Sequence, residues 1–221
     1  MFSNKIFKKY CSSEWRVIFN SHKQTVKVKA NQTIFTDGDP VMGIYLIDKG
    51  KVKVLSKLSE NNYRIIRLAG QDSILGHRGI HFKKYHIQAV ALEDCTFTFI
   101  PLDIFVKLLK ANPDMSMYFI NFLSEELREA ENRMKYLSIL DPKKRIALLI
   151  IKLIEVFGYS SKESQLLAFT LSRTDIANMA NTTYETVIRS LSFLEKKGMI
   201  ELVGKQIEVV SENKLKNFSI S

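Results

Sequence analysis

Six apolar residues, Ile120, Leu123, Leu127, Ala130, Met134 and Leu137, follow one another at spacings of 3, 4, 3, 4 and 3. A helix with this spacing presents a narrow apolar seam, which a second helix of the same kind can cover. The seam spans only about two and a half heptads, so other contacts must support it. Phe119 and Phe122 lie beside it and are placed to pack the same helix onto its own domain. Asn112-Pro113 opens the helix with proline near the first turn. Asp141-Pro142 closes it, because proline disfavours helical backbone in the residue before it. The seam therefore predicts a dimerisation helix over 111–138, with one domain before it (1–110) and another after it (139–221).

The segment before the helix has a different period. From Gln24 to Ala30, Val26, Val28 and Ala30 alternate with Lys27 and Lys29, and Val52 and Val54 alternate with Lys51 and Lys53. His86 to Ile100 reads as a third alternating run. A period of two with one polar face predicts antiparallel sheet with one side wet. Turn signals at Asp37-Gly-Asp-Pro40, Asp48-Lys-Gly50, Glu60-Asn-Asn62 and Ala69-Gly70 cut the runs into short strands, as in a sandwich or small barrel.

Composition excludes several classes. At 221 residues, 46% hydrophobic and 25% charged, the chain is neither disordered nor collagenous. Its longest apolar run, Ile146 to Ile151, is too short to span a membrane, and Met1 to Tyr10 lacks the apolar core of a signal peptide. Cys11 and Cys95 make neither a disulfide framework nor a four-cysteine metal site. Cys95 reads as core, and Cys11 as either an inert or a reactive thiol. These features point to the cytoplasm. The net charge of +10 makes nucleic acid the first partner to consider. Its distribution is uneven: +9 in residues 1–110, −2 in 111–137 and +3 in 138–221.

The C-terminal third carries the sharpest pattern. A helix from about Pro142 to Phe157 stops at Gly158. Ser172-Arg-Thr-Asp175 reads as a capping box before a short helix, Asn181 as a turn, and Thr182-Thr-Tyr-Glu185 as a second capping box. The second helix has Val187, Leu191 and Leu194 on one face and Gly198 as its stop. Two short capped helices across a tight turn form the helix-turn-helix pattern. Met199–Val203 and Gln206–Val210, joined by Gly204-Lys205, add a hairpin wing. The polar side of the second helix holds Tyr184, Glu185 and Arg189. Arginine can bond guanine O6 and N7, and glutamate can accept from cytosine N4.

From about residue 20 to 215 the chain resembles the Crp/Fnr family of bacterial transcription factors. The resemblance rests on Gly43-Ile-Tyr-Leu-Ile-Asp-Lys-Gly50-Lys-Val52, Leu140-Asp-Pro-Lys-Lys-Arg-Ile146 and Asp175-Ile-Ala-Asn-Met-Ala-Asn-Thr-Thr-Tyr-Glu-Thr-Val-Ile-Arg189. It implies an α+β fold: an N-terminal antiparallel β-roll of the cyclic-nucleotide-binding (jelly-roll) kind, a long dimerisation helix and a C-terminal winged helix-turn-helix. It implies a homodimer on a palindromic operator in double-stranded DNA, with RNA polymerase as a protein partner. Glu185 and Arg189 would read bases. Ser172, Thr174, Thr183 and Thr186 would contact phosphates, with Arg173 and Lys205 alongside them. Tyr184 stands where the cyclic AMP receptor has arginine, so the neighbouring base preference should differ, with a thymine methyl as its candidate contact.

The same resemblance bears on the sensor. Gly76 matches the glycine of the cyclic-nucleotide pocket, but His77 replaces the glutamate that bonds ribose. Tyr85-His86 replaces the Arg-Ser pair that holds the phosphate, and Ala130-Glu131 the Thr-Ser pair that reads adenine. Without the guanidinium a buried phosphate has no bidentate partner, so cyclic AMP is not the expected activator. Gly76, His77, Arg78, Tyr85, His86 and Glu131 form the candidate effector pocket, for an anion of another kind or for no ligand. Three of the four histidines, with Arg78, Lys83 and Lys84, crowd this segment.

No cofactor or metal is expected, and no motif assembles a nucleophile, base and oxyanion donor. Other readings stay open. One is a cyclic-nucleotide-responsive regulator. Another is a haem-responsive regulator, since a family member that senses carbon monoxide ligates haem through a histidine in this loop, although Leu75 stands at its cysteine position. A third is a ligand-binding module that controls a partner protein. A signal would act by rotating the winged helices about a hinge near Leu140-Asp141.

Overall fold

The computed structural model describes residues 4–60, 62–161 and 165–220, in two compact units, Met1–Arg128 and Glu129–Ser221. In the first unit, helices α1 (Asn4–Tyr10) and α2 (Ser13–His22) precede the strands. These are β1 (Gln24–Val28), β2 (Thr33–Phe35), β3 (Gly43–Lys49), β4 (Val52–Ser59), β5 (Asn62–Ala69), β6 (Ile74–Leu75), β7 (Gln88–Ala91) and β8 (Cys95–Pro101). A 3₁₀ turn at His77–Gly79 follows β6, and α3 (Leu102–Ala111) follows β8. The strands pair antiparallel in two sheets of four, ordered β1-β8-β3-β6 and β2-β7-β4-β5. This is the β-sandwich expected from the period of two.

Alternation decides which side chains meet between the sheets. Val52 and Val54 are buried there with Ile47, Ala89 and Phe97. Their neighbours on β3, Ile44 and Leu46, turn the other way and join Ile74 and Ile100 in a second layer with Phe7, Phe19, Phe105 and Met115. The expectation of one wet face is thus corrected for the β1-β8-β3-β6 sheet. Helices that the alternation could not show lie over it, so β3 is buried on both sides. Ala30 is exposed and outside β1. The His86–Ile100 run is two strands rather than one. Between them the Leu92 N–H donates to the Lys51 carbonyl and the Asp94 carboxylate accepts from the Ala30 N–H. Cys95 is core, as expected. Cys11 is buried too, and burial pushes its thiol up to about 11, which makes it inert.

Helix α4 (Pro113–Ile139) carries two apolar stripes. Met115 and Phe119 are buried in the helical layer, and Phe122 packs against it. The 3-4-3-4-3 seam faces elsewhere. Ile120, Leu123, Leu127 and Met134 are exposed, Leu127 by 62% and Met134 by 63%, and Ala130 and Leu137 are half-buried. Among the described residues no helix is long and apolar enough to cross a membrane.

In the second unit α5 (Pro142–Phe157) starts at Asp141, whose carboxylate accepts from the Lys143 and Lys144 N–H groups, and stops at Gly158. Its apolar run, Ile146 to Ile151, lies almost wholly in the core. Helices α6 (Arg173–Met179), α7 (Tyr184–Lys196) and α8 (Glu212–Ile220) pack on it, and β9 (Glu201–Val203) pairs with β10 (Gln206–Glu208).

The turn between β3 and β4 depends on Gly50, whose φ is +112° and whose added Cβ would collide with Cys95 Sγ. Gly50→Ala is expected to lower the stability of the first unit by about 2–3 kcal/mol, from backbone strain and overpacking together. A shift in the urea unfolding midpoint measures this.

Candidate nucleic-acid interface

Helix α6 begins as expected, with the Ser172 hydroxyl accepting from the Asp175 N–H at 3.0 Å. Asn181 then takes φ +50°, the left-handed turn conformation that asparagine tolerates. The second capping box is corrected by one residue. The N-cap of α7 is Thr183, which accepts from the Thr186 N–H at 3.2 Å, whereas Thr182 donates its N–H to the Ala177 carbonyl and closes the turn. Thr183 has the extended backbone a cap requires, so the box formed by Thr182 and Glu185 does not exist.

Val187, Leu191 and Leu194 bury one face of α7. Ser190 is buried with them, its hydroxyl donating to the Thr186 carbonyl at 2.7 Å. The opposite face leaves Tyr184, Glu185 and Arg189 exposed within the first two turns. The Glu185 carboxyl is held below its usual range by its own N–H and by the Thr183 hydroxyl, so it is an acceptor at neutral pH. Ser172, Thr174 and Thr183 are exposed, and Thr186 is half-buried with its hydroxyl 3.1 Å from that of Thr183.

In the wing, Gly204 adopts φ +62° at the hairpin tip beside exposed Lys205. The Arg173 guanidinium donates to the Lys205 carbonyl at 3.3 Å, which braces the wing against α6. Two further braces escaped sequence reasoning. Glu195 accepts from the Leu202 N–H at 3.0 Å, and Thr170 from the Ile207 N–H at 3.2 Å. No spacing rule marks these residues, because their partners are backbone groups brought close only by the fold.

Of the six residues expected in one effector pocket, His77 and Arg78 meet on one carboxylate, and a Cβ on Gly76 would stand 3.4 Å from the Tyr85 hydroxyl. The His77 and Arg78 side chains turn toward Glu126 of α4. Arg67 Nε lies 3.0 Å from Glu126 Oε1, Arg78 Nη2 3.0 Å from Oε2 and His77 Nε2 3.6 Å from Oε2. Arg67 and Glu126 were absent from the expected set. Gly76 has φ +85°, and a Cβ there would stand 2.8 Å from the Gly43 carbonyl. Tyr85 is buried, donates to the Gly43 carbonyl and stacks on Phe35 at 4.0 Å. It lines a cavity of about 250 Å³ with Phe35, Asp39, Met42 and Tyr45. His86 is exposed beside the Phe82 ring, and Glu131 is exposed in the second unit.

Burial opposes ionisation of Glu126, but the His77 ring and the Arg67 and Arg78 guanidiniums outweigh it and hold the carboxyl down at about 2. Burial pushes the His77 imidazole down, against the pull of Glu126.

The profile described as cyclic nucleotide-binding domain matches residues 25–112, and that described as Crp-like helix-turn-helix domain matches residues 144–218. The global nitrogen regulator of Nostoc sp. is 30% identical over 81% of this chain and 82% of its own. The chain belongs to the Crp/Fnr family. Electron transport regulator A of Shewanella oneidensis is 29% identical over 85% of this chain and 75% of its own. Among solved structures, FixK2 from Bradyrhizobium japonicum shares the fold with a TM-score of 0.79, at 21% identity over 88% of this chain and 96% of that one. The two profiles fall on opposite sides of α4, so the Crp/Fnr assignment covers both the sandwich and the helix-turn-helix. The chain is a transcription regulator of the Crp/Fnr type.

Two predictions follow from this geometry. Thr183→Ala is expected to destabilise the second unit by about 1 kcal/mol, while Thr183→Ser keeps the cap and most of the stability. Thermal unfolding of the two variants separates them. The pH dependence comes from the Glu126 cluster. The unfolded chain takes up protons on His77 below its ordinary 6.5 and on Glu126 below its ordinary 4.5, in each case before the folded unit does. Stability is therefore full above 6.5 and falls as the pH is lowered through this window. His77→Gln should remove the upper part of the slope in urea midpoints measured against pH.

Proposed function

We propose that the chain acts as a homodimer that places one α7 in the major groove of each half of a two-fold symmetric DNA site. The observation that carries this reading is α7 itself. Its buried face is fixed on the unit's core, its N-terminus is capped by Thr183, and Tyr184, Glu185 and Arg189 remain exposed. Arg189 offers two donors to guanine O6 and N7, and Glu185 accepts from cytosine N4. Tyr184 contacts the neighbouring base through a thymine methyl. Ser172, Thr174, Thr183, Thr186, Lys205 and the partly engaged Arg173 position the helix on phosphates without reading sequence.

The exposed seam of α4 supports the dimer, since four large apolar side chains in water are costly unless a second copy covers them. Half-sites then lie about 34 Å apart, one turn of the duplex. RNA polymerase is the protein partner. Cyclic AMP is not the activator: His77, Tyr85 and His86 replace the residues that hold it in the cyclic-AMP-binding members of the family, and the Arg78 guanidinium already bonds Glu126.

Arg189→Ala is expected to weaken binding to the selected operator by about 1–3 kcal/mol and to relax preference at one position of each half-site. Lys205→Ala should weaken all sequences alike and lower the salt slope by about 1. Gel shifts at several salt concentrations read both, and wild-type affinity in Arg189→Ala would refute the assignment. Isothermal titration with cyclic AMP should give no sub-micromolar isotherm.

A further inference from the structure

The DNA-binding reading leaves unused a cluster of charges where the sandwich meets α4. Arg67 from β5 and Arg78 from the 3₁₀ turn both pair with the Glu126 carboxylate at 3.0 Å. The Glu126 side chain is 13% exposed and that of His77 2%. Neither ring nitrogen of His77 has a hydrogen-bond partner among the described residues, and Nε2 points at the same carboxylate. The His77 ring also meets the edge of Phe122 at 5.0 Å. Phe122 lies four residues before Glu126, on the same face of α4. Two guanidiniums and an imidazole thus surround one anionic position, and a residue of α4 fills it. Arg67 is largely covered and Arg78 stands at the exposed edge, so removing the anion would cost most at the covered end of the cluster.

We propose that Glu126 is an internal counter-ion that occupies an anion niche formed by Arg67, His77 and Arg78, and so seats α4 on the sandwich without a small-molecule anion. An anionic effector entering the niche would have to displace a carboxylate held by both guanidiniums. Glu126 is part of the chain, so the niche carries its own anion. The regulatory meaning of this arrangement rests on the DNA-binding reading, because α4 also carries the dimer seam. The niche itself does not.

Hydrogen exchange on the full-length protein tests the proposal. Wild type, Glu126→Gln and Glu126→Ala are compared in sodium formate and in sodium chloride of equal ionic strength. Both variants are expected to lose about tenfold or more of the amide protection in residues 74–80 and 120–128. Formate, which fits the space left by the deleted carboxylate, should restore much of it in Glu126→Ala. It should do nothing for wild type or for Glu126→Gln, whose amide fills the space. Wild-type protection in Glu126→Gln, or equal protection of Glu126→Ala in the two salts, overturns the proposal. Should Glu126→Ala fail to fold, Arg78→Gln at the exposed edge of the cluster decides. A severalfold loss of protection in 120–128 supports the niche, and no loss overturns it. No DNA enters the measurement, so a failure of the counter-ion and a failure of the DNA-binding reading are told apart.

Discussion

Helix α4 has to satisfy two apolar stripes at once. Met115, Phe119 and Phe122 bury one against α1, α2, α3 and the first sheet, while Ile120, Leu123, Leu127 and Met134 leave the other in water. Covering a large apolar side chain contributes roughly 1.5–3 kcal/mol. These four seam residues are 40–63% exposed, so eight in a symmetric pair contribute roughly half the full-burial value each, comparable to an association cost of about 4–15 kcal/mol. A helix with only the inner stripe would be an ordinary packing element. A helix with only the seam would have nothing to fix its rotation. Carrying both, α4 holds Ile120, Leu123 and Leu127 in a set direction relative to the rest of the first unit.

Glu126 fixes that rotation further, because it lies beside the seam residue Leu127 and reaches back to the sandwich. This also changes the meaning of the basic excess in the first half of the chain. Arg67 and Arg78 are engaged by Glu126, Lys51 by Glu93 at 2.9 Å and Lys29 by Asp94 at 2.7 Å. The Lys51–Glu93 and Lys29–Asp94 pairs already cancel within residues 1–110, so of the +9 excess only the Arg67 and Arg78 charge answered by Glu126 is turned inward. The DNA-binding half has the smaller excess, and the recognition proposed for it rests on the placement of Glu185 and Arg189.

Local rules made much of this legible. Alternation found β4 and its buried Val52 and Val54, the seam found α4, and Asp141-Pro142 and Gly158 bounded α5. The cap of α7 was displaced by one residue because Thr182 and Thr183 offer the same hydroxyl. Only the hydrogen bond from the Thr182 N–H to the Ala177 carbonyl shows which of them closes the turn. Helices α1 and α2 went unread although Phe7, Cys11, Trp15 and Phe19 recur at helical spacing. That spacing was a signal available in the chain. The Glu126 niche had no such signal. Its members lie 10, 1 and 48 residues apart along the chain, and although His77 and Arg78 stand out in their segment, nothing local ties them to Arg67 or Glu126.

Selection of bound duplexes from a fully randomised DNA pool tests the central claim most directly. The account predicts a two-fold symmetric consensus whose half-sites are centred about 10–10.5 base pairs apart, with a G·C pair in each half read by Glu185 and Arg189. A non-palindromic consensus, or no enrichment over the starting pool, would contradict it.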